Sequence, residues 1–136
     1  MSNYPVGFDP ETHRNKPICG VLTIAIAAGV SYDKAHELCR QNMPSHRARF
    51  RGATYDTQRD AALKQAGIKF TVLKPNISVM KFCDWFAKDG KTYLLQVRGH
   101  VMTLKNGFLI DQHICKPWQQ YHHPRIKVKR VVRIDQ

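Results

Sequence analysis

The stretch Asn15-Lys16-Pro17-Ile18-Cys19-Gly20-Val21-Leu22-Thr23-Ile24-Ala25-Ile26-Ala27-Ala28-Gly29 reads as an apolar helix opened by a cysteine. Pro17 has no N–H to lose and a φ suited to a first helical turn, and Gly29 is a natural stop, so the helix is expected from about Pro17 to Ala28. Cys19 then lies among first-turn N–H groups that lack partners inside the helix. Those groups and the helix dipole favour an anion, so a thiol placed there ionises below its free value of roughly 8.5. That is a setting for a nucleophile. The alternative is that Cys19 is a small buried hydrophobe, the common fate of a cysteine in an apolar run.

With 136 residues and 43% hydrophobic composition the chain is expected to be one domain, 1–136, that buries its own core. The longest apolar run, Val21 to Val30, falls short of the roughly 20 residues a membrane span needs. The N-terminus lacks the charged start and apolar core of a signal peptide. The expectation is a soluble, cytoplasmic protein without a membrane partner. Cys19, Cys39, Cys83 and Cys115 form no CxxC pair, so neither a disulfide framework nor a zinc module is indicated. No metal or cofactor is expected, and oligomeric state is not legible.

Charge is the extreme of the composition: 22 Lys and Arg against 10 Asp and Glu give +12. Such a field attracts nucleic acid or other acidic partners and says nothing about fold. Much of the excess is local, in Arg47, Arg49 and Arg51 and in the 125–136 segment with Lys127, Lys129 and Arg133. The latter alternates charged and apolar residues as a strand would, with one face on the core and the other a cationic row. A solvated edge strand protected by its cations is the alternative.

Outward from the first helix, residues 1–14 carry Pro5 and Pro10 and read as an irregular lead-in draped over the domain. Ser31 caps a second helix through Arg40, whose apolar face takes in Cys39. Pro44 to Asp56 is a basic loop. Thr57 with Asp60 resembles a capping box for a helix through Ala66, closed by Gly67, and Ile68 to Leu73 is a short strand. Ser78 caps a further helix with Val79, Phe82, Cys83 and Phe86 on one face and Gly90 at its end. Cys83 and Trp85 are assigned to the core. The pattern then turns to alternation: strands at 92–97, 100–104 and 108–110, the last two joined by Asn106-Gly107, a strong type I′ hairpin signal. Helices first and a meandering sheet afterwards give an α+β domain, N-terminal helices packed on a C-terminal antiparallel sheet.

The hairpin fixes a register. Lys105 pairs with Phe108, Leu104 with Leu109, Thr103 with Ile110 and Met102 with Asp111, which brings His100 near Asp111. A carboxylate beside a histidine fixes one ring nitrogen and stabilises the imidazolium, as is needed for a base that ionises a thiol. A purely structural hydrogen bond is the alternative. His113, Cys115, His122 and His123 lack the paired spacing of a metal site and read as surface residues. Trp118 and Tyr121 either cover the cleft or close the end of the sheet.

In these motifs the chain resembles the papain-like cysteine peptidase superfamily, and in particular small phage- and bacteria-encoded domains similar to bacteriocin-processing peptidase domains. The matching stretches are Asn15 to Cys19 with its helix, Val30-Ser31-Tyr32-Asp33-Lys34, Arg98-Gly99-His100-Val101-Met102 and Asn106 to Asp111, within residues 12–112. The resemblance implies a papain-like fold and peptidase or isopeptidase activity on a peptide or protein substrate, in the cytoplasm of a bacterial host if the chain is phage-encoded. It makes Cys19 the nucleophile, His100 the general base and Asp111 its orienting group. An oxyanion donor is expected from Asn15, with His13 second, because the Gln common upstream of the Cys is missing; Gln112 is a candidate contact of the imidazole. The rival function is a catalytically weak or inactive papain-like scaffold that binds nucleic acid or an acidic protein through Arg47, Arg49, Arg51, Lys127, Lys129 and Arg133.

Overall fold

The computed structural model describes residues 4–13, 15–46 and 49–135. Along them run α1 (Pro10–His13), α2 (Cys19–Ala28), α3 (Tyr32–Gln41), α4 (Asp56–Gln65), β1 (Phe70–Leu73), β2 (Ile77–Ser78), α5 (Val79–Phe86), β3 (Tyr93–Val97), β4 (His100–Lys105), β5 (Phe108–Ile110), β6 (Cys115–Pro117), β7 (Lys127–Val128) and β8 (Arg130–Ile134). A 3-10 turn, Trp118–Gln120, precedes the C-terminal segment.

The local signals hold where they rest on caps and turns. Gly29 adopts φ 67° at the end of α2 and the next N–H, of Val30, reaches back to Ala25 O at 3.0 Å, closing the last turn. Ser31 and Ser78 accept the N–H groups of Lys34 and Lys81, both at 3.1 Å, and start α3 and α5. Asn106 and Gly107 have φ of 53° and 80°, the paired positive values of a type I′ turn, and the ladder runs Lys105–Phe108, Leu104–Leu109, Thr103–Ile110. It ends there, so Met102 and Asp111 are not a ladder pair.

Six strands form one antiparallel sheet in the order β1-β8-β3-β4-β5-β6, and β2 pairs with β7 beside it. Period-two alternation sorts the residues to two cores. Leu94, Val101, Ile110 and Val132 face α2, α3 and α4, while Tyr93, Leu95, Met102, Leu104 and Val131 face α5, Tyr121 and Val128. α2 is apolar all round and is accordingly enclosed, with Gly20 through Ile26 buried between the sheet, α3 and α4. The architecture is α+β, as expected, but the sheet is covered on both faces, because α5 lies across it from the other helices.

Four expectations need correction. The lead-in is not wholly irregular: Pro10 and the Asp9 carboxylate, which takes the Glu11 N–H at 3.0 Å, start the single turn of α1. It does lie over the domain, through buried Phe8, the Tyr32 N–H on Val6 O and the Tyr4 hydroxyl on Asp111 O, both at 2.8 Å. α4 begins at Asp56, not after Thr57, with the Tyr55 N–H on Gln58 Oε1. Trp85 is 61% exposed rather than core, since Val79, Phe82, Cys83 and Phe86 take the inner face of α5; the Lys81 ammonium lies 5.6 Å from its ring centre. The 125–136 strand is broken at Lys129, and β8 lies between β1 and β3, neither an edge nor one-sided, with Val131 and Val132 buried on opposite faces.

Thr103 is fully buried facing α2, and among the described residues its hydroxyl has no hydrogen-bond partner. Thr103→Val removes an unsatisfied polar atom at nearly constant shape and is expected to raise stability by about 1 kcal/mol. Denaturant unfolding checks this, and a loss of stability would show that the hydroxyl is paired in solution.

Candidate active site

Two glycines shape the approach to Cys19. A Cβ at Gly20 would meet Thr54 Oγ1 at 1.9 Å and Arg59 Cδ at 3.2 Å, so only glycine lets those two side chains lie on the mouth of α2. Gly52, at φ 109°, presses the basic loop onto Ile18, where a Cβ would come within 2.7 Å of Ile18 Cγ2. Cys19 is thereby the first residue of α2, half-buried and facing a cleft.

His100 opens β4 after Gly99, and Asp111 follows β5. Asp111 Oδ1 accepts the N–H groups of His113 and Ile114 at 2.7 and 2.8 Å, which leaves Oδ2 for His100 Nε2 at 2.8 Å. The carboxylate fixes Nε2 as the N–H, and the same imidazole lowers the Cys19 thiol, which lines the cleft with it. Cys, His and Asp, which lie on a helix mouth, a strand start and a strand end, are therefore brought together, with the His–Asp pair hydrogen-bonded and Cys19 under the influence of the imidazole.

The electrostatics follow from this geometry. Burial pushes the Cys19 thiol up, but the His100 hydrogen bond, the Val101 N–H and the charges of His100 and Arg59 outweigh it and bring the thiol below its ordinary value. The Asp111 and Cys19 hydrogen bonds raise His100 to about 9 against burial. Burial pushes Asp111 up, yet His100 and the two N–H groups hold it below the ordinary carboxylate value. Burial pushes Cys39 and Cys83 up to about 12, Cys39 despite the charge of Arg59. Environment thus separates Cys19 from Cys39 and Cys83.

These shifts predict a pH dependence. A raised His100 stabilises the fold fully below its ordinary 6.5, and that stability drains away as pH rises through about 9. A lowered Cys19 acts oppositely, stabilising above its ordinary 9.0 and losing this as pH falls through its folded value. Asp111 has the same sign as Cys19, with its contribution present above 3.8 and lost on acidification below it. Where the Cys19 and His100 terms overlap they offset one another. Thermal unfolding of Cys19→Ala is therefore expected to decline above about pH 6.5, where the unaltered chain stays flatter. Parallel profiles for the two would refute the coupling.

The cleft encloses ≈ 580 Å³ and is lined by Lys16, Pro17, Cys19, Thr54, Asp56, Arg59, Gln96, His100, Val101, Gln112 and His113, among others. The expected oxyanion donors are not there. His13 is stacked on Phe8, 5.3 Å between ring centres, and lies against Tyr32 at 4.6 Å, with Nδ1 at the Asp9 N–H; Asn15 is exposed outside the lining. Gln112, expected at the imidazole, donates instead to Lys16 O at 2.7 Å. Gln96 and Arg59 line the cleft without having been anticipated, and no motif marks them: Arg59 lies on a polar helix, Gln96 inside an apolar strand.

The basic residues are not gathered into one row. Arg47 lies outside the described residues. Arg49, Arg51, Lys127 and Lys129 are exposed, on the 44–55 loop and around β7, whereas Arg133 is engaged by Asp135 Oδ1 at 2.8 Å and by Thr71. Among the described residues no three His, Cys, Asp or Glu side chains form a metal-binding group. His122 and His123 are exposed, while Trp118 packs on the second core beside buried Tyr121, away from the cleft. No described helix is long and apolar enough to cross a membrane. No family model, no curated protein and no solved structure matches this chain.

Proposed function

We propose that the protein is a cysteine hydrolase of papain-like architecture that cleaves a peptide or isopeptide bond through an acyl-thioester. The observation that carries this is that Cys19 and His100 line one cleft at the mouth of α2, with His100 held by Asp111 at 2.8 Å. The Cys19 thiolate attacks the carbonyl carbon, the C–N bond breaks, and the His100 imidazolium gives its Nδ1 proton to the leaving amine. Water then attacks the thioester carbonyl, His100 takes its proton, and the acid leaves as Cys19 is restored. The Cys19 N–H, without an intrahelical acceptor, faces the developing oxyanion, and Gln96 and Gln112 supply the side-chain amides that line the cleft.

The test is selective alkylation. Iodoacetamide at about pH 6 is expected to label Cys19 ahead of Cys39, Cys83 and Cys115, as read by peptide mass spectrometry. A digest of a mixed peptide pool should show cleavage that is lost in Cys19→Ala. Labelling of Cys19 no faster than Cys115 would sink the proposal. The rival, a binding protein, draws on the +12 charge and the exposed Arg49, Arg51, Lys127 and Lys129. Salt-sensitive retention of RNA or DNA that survives Cys19→Ala, with no cleavage by the unaltered chain, would favour it.

A further inference from the structure

Arg59 is a charged side chain only 7% exposed, yet it lines the cleft beside Cys19. Its hydrogen bonds go to neutral acceptors: Nη1 donates to Thr54 O at 3.1 Å and Thr54 Oγ1 at 2.8 Å, and Nη2 to Gln96 Oε1 at 3.1 Å. The Nε–H and one Nη2 N–H have no acceptor among the described residues. The acids nearest in sequence are committed to Arg130, whose Nη2 lies 2.5 Å from Asp60 Oδ2 and Nε 3.7 Å from Asp56 Oδ2. Asp56, the one acid lining the cleft among the described residues, also accepts the Thr57 N–H at 2.7 Å. A buried cation is costly to hold without an anion in contact. Cys19, Asp56 and Asp60 all act on Arg59 through their charge, but none of them accepts a hydrogen bond from its guanidinium among the described residues, and acylation would consume the Cys19 charge. Lys16 adds to the cationic character of the same lining.

We propose that Arg59 is the recognition group for a carboxylate of the substrate, so that the cleft selects peptides presenting an acid beside the bond that Cys19 attacks. This rests on the hydrolase reading. A guanidinium suits the role because its planar N–H groups match a carboxylate in geometry as well as charge. Gly20 belongs to the same device, since a side chain there would displace Thr54 and with it the support of Arg59.

The test compares iodoacetate with iodoacetamide as alkylating agents of Cys19, in salt sufficient to screen the +12 field. Both reagents consume the same thiolate, so the ratio of their rates cancels its ionisation and reports the carboxylate alone. The unaltered chain is expected to prefer iodoacetate, and Arg59→Gln to lower the ratio about tenfold, the scale of one charge-assisted hydrogen bond. Arg59→Lys should keep part of it. Gln96→Glu, which retains Arg59 but hands it an internal carboxylate, should lower the ratio too and guards against a misfolded Arg59→Gln. An unchanged ratio in both Arg59→Gln and Gln96→Glu overturns the inference. Absence of Cys19 labelling by iodoacetamide overturns the hydrolase reading instead.

Two carboxylate sources are separated by protection of Cys19 from iodoacetamide. Stronger protection by N-acetylalanine assigns a chain terminus, and stronger protection by N-acetylaspartic acid α-amide assigns an acidic side chain. Equal protection by both and by neutral N-acetylalaninamide overturns the proposal.

Discussion

On the proposed mechanism, His100→Ala is expected to cut peptide turnover by roughly 10⁴-fold or more, because base and acid would be lost together while the cleft remains. Its effect on Cys19 alkylation is smaller, and the arithmetic says why. Without the imidazole and its charge a thiol titrates at roughly 8.5, so at about pH 6 only one in several hundred is ionised. The unaltered site is ionised to lower pH, but part of that advantage is offset because nucleophilicity falls about threefold for each unit by which a thiol is lowered. The loss should be largest in mild acid and should vanish or reverse at alkaline pH, where the variant ionises on its own and its less lowered thiolate is the better nucleophile. Asp111→Asn should lie between the two, keeping the contact at Nε2 but not the charge. Rates of labelling across pH, followed by mass, decide it; a profile that His100→Ala leaves unmoved would place the origin of Cys19 reactivity elsewhere, in the helix mouth alone.

Phe82→Ala is expected to cost about 3–5 kcal/mol, the usual range for emptying a buried aromatic site. Phe82 is fully buried, with ring centres 4.7 Å from Phe86 and 5.2 Å from Tyr93, the latter edge to face. For a chain of this length that corresponds to a fall in Tm of roughly 10–20 °C, measurable by calorimetry. The informative part is what should stay constant. Phe82 packs on the sheet face opposite α2, so the folded variant should alkylate Cys19 at the unaltered rate below its Tm. A proportionate loss of Cys19 reactivity would mean that the two cores are mechanically coupled through the sheet.

The elements read most directly from sequence were those written in neighbouring residues. Ser31, Ser78, Gly29 and the Asn106-Gly107 turn act within one to four positions of themselves, and each appears where its chemistry puts it. The hairpin carried the site with it, because two-residue turns admit few registers, and a fixed register places His100 within reach of Asp111. What lay beyond local chemistry was which face of an element a distant segment would cover. Trp85 on α5 and the alternating run at 125–136 show this: the apolar pattern was sound, but exposure of the first and the central place of β8 depend on partners far along the chain. Asn15 and His13 occupy the stretch upstream of Cys19 where the resemblance places a donor, but nearness along the chain does not bring them into the cleft.

The sequence alone therefore determined the α+β class, a helix with Cys19 in its first turn and the nearness of His100 to Asp111, since caps, turns and period-two alternation act over a few residues. Only the tertiary structure decided that Cys19 meets His100 and that Arg59 is buried beside them. Those contacts are made by segments forty to eighty residues apart along the chain, and packing of the sheet against α2 and α4, not any local pattern, brings them together.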